Sequence, residues 1–242
     1  METKHVINIA GTTCPPESDR EFNKWYDETH IPINLKFKGL MEVTRYQLVR
    51  FTDYAVVKKY PRYITPYKFK DLATFTAWNH SRALMEAAEG SAELFARLSV
   101  DFVWRVQYES IKTWENTSPL SVITLVGTQC PPETAGRFDQ WYSEKHIPDL
   151  LKFKGLQGAT RFQLASSVSR AIKGKSRIPL AQNKEYPQYL TFYYFKDIPT
   201  ADAYDTSPER VATHEEWLEV VKETGVSVLW RAQYKPMRNW QR

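Results

Sequence analysis

The sequence predicts an α+β fold composed of two similar βαββαβ halves. The first observation is an internal repeat: Gly11–Glu17 recurs in near-identical form at Gly127–Glu133, and LKFKGL occurs verbatim at Leu35–Leu40 and Leu151–Leu156. The second is that each copy alternates short apolar runs with stretches of helical period. The third is that prolines stand at the borders of these segments, where helices begin or end.

The spacing between the two copies defines the halves. The offset is 116 residues at first and becomes 126 residues from Tyr60, which matches Tyr186. The second copy therefore carries ten extra residues within 165–185. We place the first half at 1–115 and the second at 116–242. Two copies are too few for a solenoid, so the repeat favours two halves packed as an intramolecular pseudo-dimer.

In the first half, the apolar run at Val6–Ala10 predicts a strand. Glu17–His30 has helical spacing, with prolines before it, and Pro32 is expected to stop this helix because the residue before a proline disfavours helical backbone. Val43–Val49 and Tyr63–Phe69 alternate as strands do.

The remainder of the half completes the pattern. Asp71 predicts the cap of a second helix that extends to about Ala88, and Val100–Tyr108 predicts a final strand. The resulting βαββαβ order is the ferredoxin-like unit, with helices on one face of an antiparallel sheet. The second copy is the expected cover for the other face.

Composition excludes several classes of function. The formal net charge of +5 is mild and mostly scattered, unlike the basic stripe of a nucleic-acid binder. No apolar run reaches the roughly 18 residues of a membrane span, and the N-terminal segment lacks the apolar core of a signal peptide. We expect a cytoplasmic protein whose Cys14 and Cys130 are buried, reduced thiols. The sequence shows no metal-ligand spacing and no glycine-rich phosphate loop, so we expect no cofactor.

The stretches WYDETHIP at Trp25–Pro32 and WYSEKHIP at Trp141–Pro148, each followed by a Gly-Leu pair, resemble the helix motif of the dimeric α/β-barrel superfamily and of its EthD-like branch. The resemblance covers nearly the whole chain as a fold. It implies small dehydratases, decarboxylases, cyclases or cofactor-free monooxygenases acting on aromatic or polyketide-like compounds. This chain differs in being a tandem fusion and in having Tyr where the branch often has a second His.

His30 and His146 are the predicted catalytic residues. Each stands at the expected end of a helix, where the dipole raises a histidine pKa and favours acid/base chemistry near neutral pH. In the family that the resemblance implies, the matching histidine faces a pocket between helix and sheet. The alternative is a structural role, in which the imidazole only caps the helix.

Tyrosines, arginines and one tryptophan are the predicted substrate-binding residues. The strand residues among them lie on either the helix-facing core or the barrel interior, and the arginines alternatively lie on a solvated strand face. The predicted set is Tyr26, Tyr142, Tyr63, Tyr67, Arg45, Arg105, Trp104 and Tyr189.

Several polar residues of one half have no polar counterpart at the matching position of the other. Glu42 is matched by Gly158, and Ala88 by His214. If catalysis needs these extra polar groups, we expect one half to be active and the other to be structural; otherwise both halves carry a site. The basic insertion at 165–185 predicts a solvated hairpin loop, or alternatively a lid over an anionic substrate.

These features favour a cofactor-independent lyase or isomerase that acts on a small aromatic or polyketide-like metabolite, either neutral or anionic, through histidine acid/base chemistry. One alternative is a cofactor-free or haem-dependent oxygenase. Another is a non-catalytic protein that binds a hydrophobic metabolite. We expect no nucleic-acid or membrane partner, and a homodimer of the fused chain is possible.

Overall fold

The computed structural model describes residues 4–52, 60–114, 118–165 and 186–242. Within these residues, eight antiparallel strands close into one barrel in the order β1-β3-β2-β8-β5-β7-β6-β4. The strands are β1 (Val6–Thr13), β2 (Leu40–Phe51), β3 (Tyr63–Phe69), β4 (Asp101–Trp114), β5 (Val122–Gln129), β6 (Leu156–Leu164), β7 (Tyr189–Phe195) and β8 (Ser227–Gln241).

Each half contributes four adjacent strands, and the seams between the halves are the β2–β8 and β4–β6 pairs. Strands β1 and β5 occupy equivalent places: Ile7 pairs with Lys68 in one half, and Ile123 pairs with Tyr194 in the other. The α+β prediction, with two ferredoxin-like halves forming one barrel, is confirmed. Closure leaves no strand edge unpaired, which removes the usual route to edge-to-edge aggregation.

Helices cover the outside of the barrel. In the first half they are α1 (Asp19–Trp25), a π-helical turn (Tyr26–His30), α2 (Ile31–Asn34), α3 (Leu72–Asn79) and α4 (Arg82–Arg97); in the second they are α5 (Ala135–Trp141), a π-helical turn (Tyr142–His146), α6 (Ile147–Leu150), α7 (Ile198–Tyr204) and α8 (Pro208–Thr224).

The predicted stop at Pro32 is wrong. The backbone stays helical through His30 and Ile31, and the helical run ends only after Asn34. A π turn makes this possible: the Ile31 N–H bonds to the Tyr26 carbonyl five residues back. Pro32 then occupies the start of the next helical segment, where a missing N–H is tolerated. π turns inside helices are rare and are frequently found at functional sites.

The second predicted helix is split in two. Asp71 does cap α3, accepting a hydrogen bond from the Thr74 N–H. That helix ends at Asn79, and Ser81 caps a new helix, α4, that continues to Arg97, well beyond the predicted Ala88. The break matters because α4 forms the outer wall of the cavity described below.

The barrel interior is apolar in its middle and closed at one end by two stacked indoles. The rings of Trp104 and Trp230 lie parallel, with centroids 4.2 Å apart and an interplanar angle of 3°. Gly11 allows this packing, because a Cβ there would lie 2.8 Å from the Pro61 side chain and 2.9 Å from the Trp104 Cβ. Since the two tryptophans come from equivalent strands, they couple the two halves through one shared core.

At the opposite end the interior opens into a polar cavity of about 330 Å³. Glu42 lies there, 3.7 Å from the Lys68 ammonium. The equivalent positions in the second half, Gly158 and Tyr194, carry no charge. The mismatch of Glu42 with Gly158 therefore belongs to the barrel interior and not to either histidine.

Candidate active site

A cavity of about 410 Å³ lies between the sheet of the first half and its helices. This volume is within the range of ordinary small-molecule pockets. Its lining is mostly apolar. The lining residues are Asn8, Ala10, Tyr26, His30, Asn34, Tyr67, Trp78, Leu84, Ala88, Ser91, Ala92, Phe95, Phe102 and Arg105.

The π turn presents His30 to this cavity. The imidazole packs against its own helix neighbours, with ring centroids 5.0 Å from Trp25 and 4.7 Å from Tyr26. Nδ1 is buried and has no partner among the described residues. The imidazole therefore has a ring nitrogen that the described residues do not engage and that can exchange a proton with a molecule in the cavity.

The predicted rise in the His30 pKa is wrong. Burial lowers the pKa to about 4, with a further lowering by the nearby Arg45 and a smaller opposing effect from a hydrogen bond to the Ala87 backbone. The helix does not end at His30, so no helix C-terminus lies there to favour the charged form. His30 is thus neutral at physiological pH and available as a proton acceptor.

Two tyrosine hydroxyls meet at the floor of the cavity. Tyr26 Oη and Tyr67 Oη lie 2.9 Å apart in a buried hydrogen bond. Burial raises the pKa of Tyr67 well above its usual value, with an added contribution from Tyr26. Burial thus keeps the Tyr67 phenol protonated. Whichever of the two hydroxyls accepts the hydrogen bond has a hydrogen that it can donate to an oxygen atom of a ligand.

Arg105 brings a positive charge to the cavity. Its Nη2 donates a hydrogen bond to the side-chain oxygen of Asn79 at 2.9 Å. No carboxylate of the described residues forms an ion pair with it. Burial lowers the Arg105 pKa, but a guanidinium remains charged in proteins. The cavity therefore carries a partly buried cation that an anionic ligand group would neutralise.

Small residues of α4 create the space in front of His30. Ala88, Ser91 and Ala92 line the cavity together with the aromatic rings of Trp78 and Phe95. The Trp78 Nε1–H is buried and has no hydrogen-bond acceptor among the described residues. A flat apolar ligand with an acceptor atom would fit this wall and satisfy that donor.

The equivalent cavity of the second half is far smaller, at about 140 Å³. Trp217 replaces Ser91 there and packs near His146, with ring centroids 6.0 Å apart. His146 is 6% exposed, and burial lowers its pKa to about 3, helped by Arg210 and Arg161. The two histidines therefore share a position in the fold, but the space beside His146 is much smaller than the space beside His30.

The charges also differ between the cavities. Arg231 matches Arg105, but it forms an ion pair of 2.8 Å with Asp205, the residue that matches Asn79. Arg50 binds the same carboxylate, also at 2.8 Å. The guanidinium at this position is thus neutralised in the second half and uncompensated in the first.

The structure brings together four of the predicted residues, His30, Tyr26, Tyr67 and Arg105, in the first cavity. The second cavity contains the predicted His146 and Tyr142.

Arg45 lies elsewhere, fully buried beneath α1. It binds Asp27 at 2.5 Å and Asn23 at 2.7 Å, and its guanidinium lies 4.3 Å from the centre of the Tyr26 ring. The alternative of a solvated strand face is wrong for this residue. Arg45 holds the helix against the sheet, and its polar contacts leave it outside the lining of the cavity.

The other three predicted residues also lie outside both cavities. Tyr63 is in the helix-facing core and donates a hydrogen bond to Asp19. Tyr189 packs against Arg161, whose guanidinium lies 4.5 Å from its ring centre. Trp104 faces the barrel interior, stacked on Trp230. The basic insertion, considered above as a hairpin or a lid, lies outside the described residues.

Sequence reasoning missed several residues of the site, chiefly Trp78 and the small face of α4 in the lining, and Asn79, which accepts a hydrogen bond from Arg105. A comparison of the two copies would have found them, because Asn79 is matched by Asp205 and Ser91 by Trp217. Both buried cysteines are free thiols, as expected.

Among the described residues, no group of three or more His, Cys, Asp or Glu side chains is placed to hold a metal ion. No helix in this part of the chain is long and apolar enough to cross a membrane.

No family model matches the chain, and no curated protein matches it at the level of sequence. Several solved structures do match the chain in their three-dimensional fold. A proposed monooxygenase from Fusobacterium nucleatum matches with a TM-score of 0.59 and 9% identity, over 100% of this chain and 96% of the other. A proposed monooxygenase from Lactobacillus acidophilus has a TM-score of 0.56 and 9% identity, over 98% and 96%.

An anthrone oxidase-like protein matches with a TM-score of 0.56 and 11% identity, over 99% of this chain and 94% of the other. At such low identities the likeness concerns the fold alone. The chain has the dimeric α/β barrel fold that these proteins share.

Proposed function

We propose that the first cavity is the active site of an enzyme that removes a proton from a small, enolisable aromatic metabolite. One observation carries this proposal: a single, largely apolar cavity of about 410 Å³ contains three kinds of polar group. They are a neutral histidine, a pair of tyrosine hydroxyls and an arginine without a carboxylate partner among the described residues. A buried neutral imidazole is a base, and hydroxyl and guanidinium donors stabilise the oxygen anion that proton removal creates.

The chemistry follows from the positions of these groups. His30 accepts the proton of a C–H or O–H group that is acidified by an adjacent ring or carbonyl. The imidazolium that forms is disfavoured by burial in the free protein, but the substrate anion beside it supplies the opposite charge. Arg105 and the Tyr26–Tyr67 pair hold the developing enolate or phenolate oxygen.

The fate of the anion decides the reaction class. We propose oxygenation as the leading outcome, supported by the monooxygenase and anthrone oxidase names of proteins with the same fold. In that reaction the carbanion transfers electrons to O₂, and the hydroperoxide that forms loses water. A CH₂ group then becomes a carbonyl, with one oxygen atom retained and the other released as water.

Dehydration, decarboxylation or cyclisation would begin with the same proton removal and proceed without O₂. These outcomes are the second candidate, because the donors in the cavity serve an enolate equally well in either case.

We also propose that the chain arose as a tandem fusion of two EthD-like halves. The support is the repeated motif at Trp25–Pro32 and Trp141–Pro148, together with the two matching sets of four strands. In this proposal the first half kept a large pocket, whereas side chains came to fill most of the equivalent pocket in the second half.

Anthrone is a suitable probe, because its CH₂ group is acidified by the adjacent rings and carbonyl. Without O₂, the protein is expected to speed the exchange of the CH₂ protons with deuterium from the solvent, measured by NMR. With O₂, consumption of one O₂ per product carbonyl, measured with an oxygen electrode, would support oxygenation. Exchange without O₂ consumption would favour the lyase or isomerase class.

The matched control is His80→Gln, which changes an exposed histidine outside the cavity. This variant should behave like the wild type in both measurements. Absence of exchange by the wild type across anthrone and simple phenols such as resorcinol would contradict the proposal. A Soret absorption band in the purified protein would instead assign the haem-dependent alternative.

A further inference from the structure

We propose that the cavity of the second half is a binding site for a small oxyanion, a carboxylate or a phosphate, and not a second copy of the aromatic site. The inference does not depend on the function proposed for the first cavity. It rests on the size, the charge and the hydrogen-bond donors of the second cavity.

Size excludes a ring system comparable to that of the first site. The volume of about 140 Å³ is a fraction of the roughly 300–1,000 Å³ that drug-sized ligands occupy. It is nevertheless well above the space for a single water molecule. Trp217 and Val126 fill the space that Ser91 and Ala10 leave open in the first half. A compact ion of a few heavy atoms is the ligand that fits.

Charge favours an anion. Arg210 and His214 line the second cavity, where the first has Leu84 and Ala88. Arg210 forms no ion pair within the described part of the chain. Its charge lies close enough to His146 to lower the pKa of that imidazole. Arg231 also lines the cavity, but Asp205 already neutralises it. The uncompensated cation of this cavity is therefore Arg210.

Hydroxyl groups in the lining can donate hydrogen bonds to the oxygen atoms of an anion. Tyr142 Oη and Tyr193 Oη lie 2.7 Å apart, so one hydroxyl hydrogen is free to donate elsewhere. Tyr204 and Thr124 add two more hydroxyl groups to the lining. A guanidinium with several hydroxyl donors is a common arrangement for binding a carboxylate or a phosphate.

Carboxylate and phosphate share this chemistry, and titrations distinguish them. Sodium acetate and sodium phosphate are titrated into the full-length protein at fixed ionic strength, with chloride as the compensating anion, and binding is measured by calorimetry. We expect saturable binding of at least one of the two to the wild type. Arg210→Leu introduces the residue found in the first half and should weaken the affinity at least about tenfold.

His214→Ala, also the residue of the first half, should weaken the affinity less, because this side chain is more exposed. Arg82→Leu is the matched control: it removes an exposed arginine at the start of α4 and should leave the affinity unchanged. Circular dichroism and the Tm of each variant establish that it is folded. Should Arg210→Leu not fold, His214→Ala carries the test alone.

Binding of acetate alone or of phosphate alone supports the inference and names the anion. The inference is overturned if the wild type binds neither ion above the chloride control, or if folded Arg210→Leu binds as tightly as the wild type. Stronger binding of resorcinol than of either ion in this cavity, located by NMR shifts of Trp217, would also overturn it.

Discussion

Arg105 and Asn79 form a hydrogen bond of 2.9 Å, whereas the equivalent pair in the second half, Arg231 and Asp205, forms an ion pair of 2.8 Å. The two arginines occupy the same place on equivalent strands. One residue on the neighbouring helix thus decides whether this strand arginine is paired with a carboxylate. This difference, together with the larger volume of the first cavity, supports the proposal that the first cavity binds an anionic aromatic ligand.

Asn79→Asp should neutralise Arg105 as Asp205 neutralises Arg231 in the second cavity. The new carboxylate would pair with Arg105, so affinity for an anionic substrate or inhibitor should fall by about tenfold, the effect of losing one charge-assisted hydrogen bond. KM should rise more than kcat falls, measured by steady-state kinetics. Asp205→Asn is the reciprocal control and should leave these constants unchanged. An unaltered KM in Asn79→Asp would contradict the role of Arg105.

Ser91→Trp should close the first cavity. The new side chain copies Trp217, which fills the same place in the second half. Turnover should drop to background while the protein stays folded, because the change fills an existing space and does not displace packed atoms. The measurements are activity and urea unfolding on one preparation.

Trp217→Ser is the converse change. It removes an indole that packs near Phe138, Trp141 and His146. It should lower the free energy of unfolding by about 2–4 kcal/mol and leave turnover in the first cavity intact. Full activity of Ser91→Trp would mean that the reaction occurs elsewhere.

Stability should fall on acidification because of His146. Its pKa is about 3 in the folded protein, well below the 6.5 or so of an ordinary histidine, so the unfolded state takes up the proton first as the pH drops below about 6.5. The free energy of unfolding therefore falls between pH 6.5 and about 3, by as much as about 3 kcal/mol by pH 4. His146→Gln should remove this part of the pH dependence in urea unfolding.

The control for the pH effect is His80→Gln, because that histidine is exposed. It should retain the slope of the wild type. Identical slopes for His146→Gln and the wild type would show that burial of this imidazole does not govern acid stability.

Trp104 and Trp230 should couple the two halves energetically. Each single change to Ala should cost about 3–5 kcal/mol. In a double-mutant cycle the pair should show a coupling of about 1 kcal/mol beyond its area burial, as aromatic pairs do. Wild-type unfolding should be one cooperative transition by both fluorescence and circular dichroism. Two separate transitions would contradict a single shared barrel core.

The fold could be predicted from the sequence because the same pattern of strands and helices occurs in both halves of the chain. Strand alternation at Tyr63–Phe69 and the cap at Asp71 depend on local chemistry, and both were found where predicted. The helix stop at Pro32 failed because a π turn shifts the hydrogen bonding by one residue, and local pattern rules do not anticipate this rearrangement. The break at Ser81 was not predicted because no proline or glycine marks it, although serine is a favoured residue at a helix N-cap.

The site was only partly predictable. His30 could be found from its motif, but its low pKa depends on burial between helices that are distant in sequence. Arg45 and Arg105 look alike on their strands, and which face each one occupies depends on register and barrel closure. Arg45 meets Asp27 under the helix, whereas Arg105 faces the cavity. Only the tertiary structure separates these roles.

The most direct measurement compares His30→Gln with His146→Gln for kcat/KM in the anthrone assay. A single active site in the first half predicts a loss of at least about 100-fold for His30→Gln, typical of removing a general base. It predicts a change of no more than about threefold for His146→Gln. Equal losses in the two variants, or full activity in His30→Gln, would contradict it.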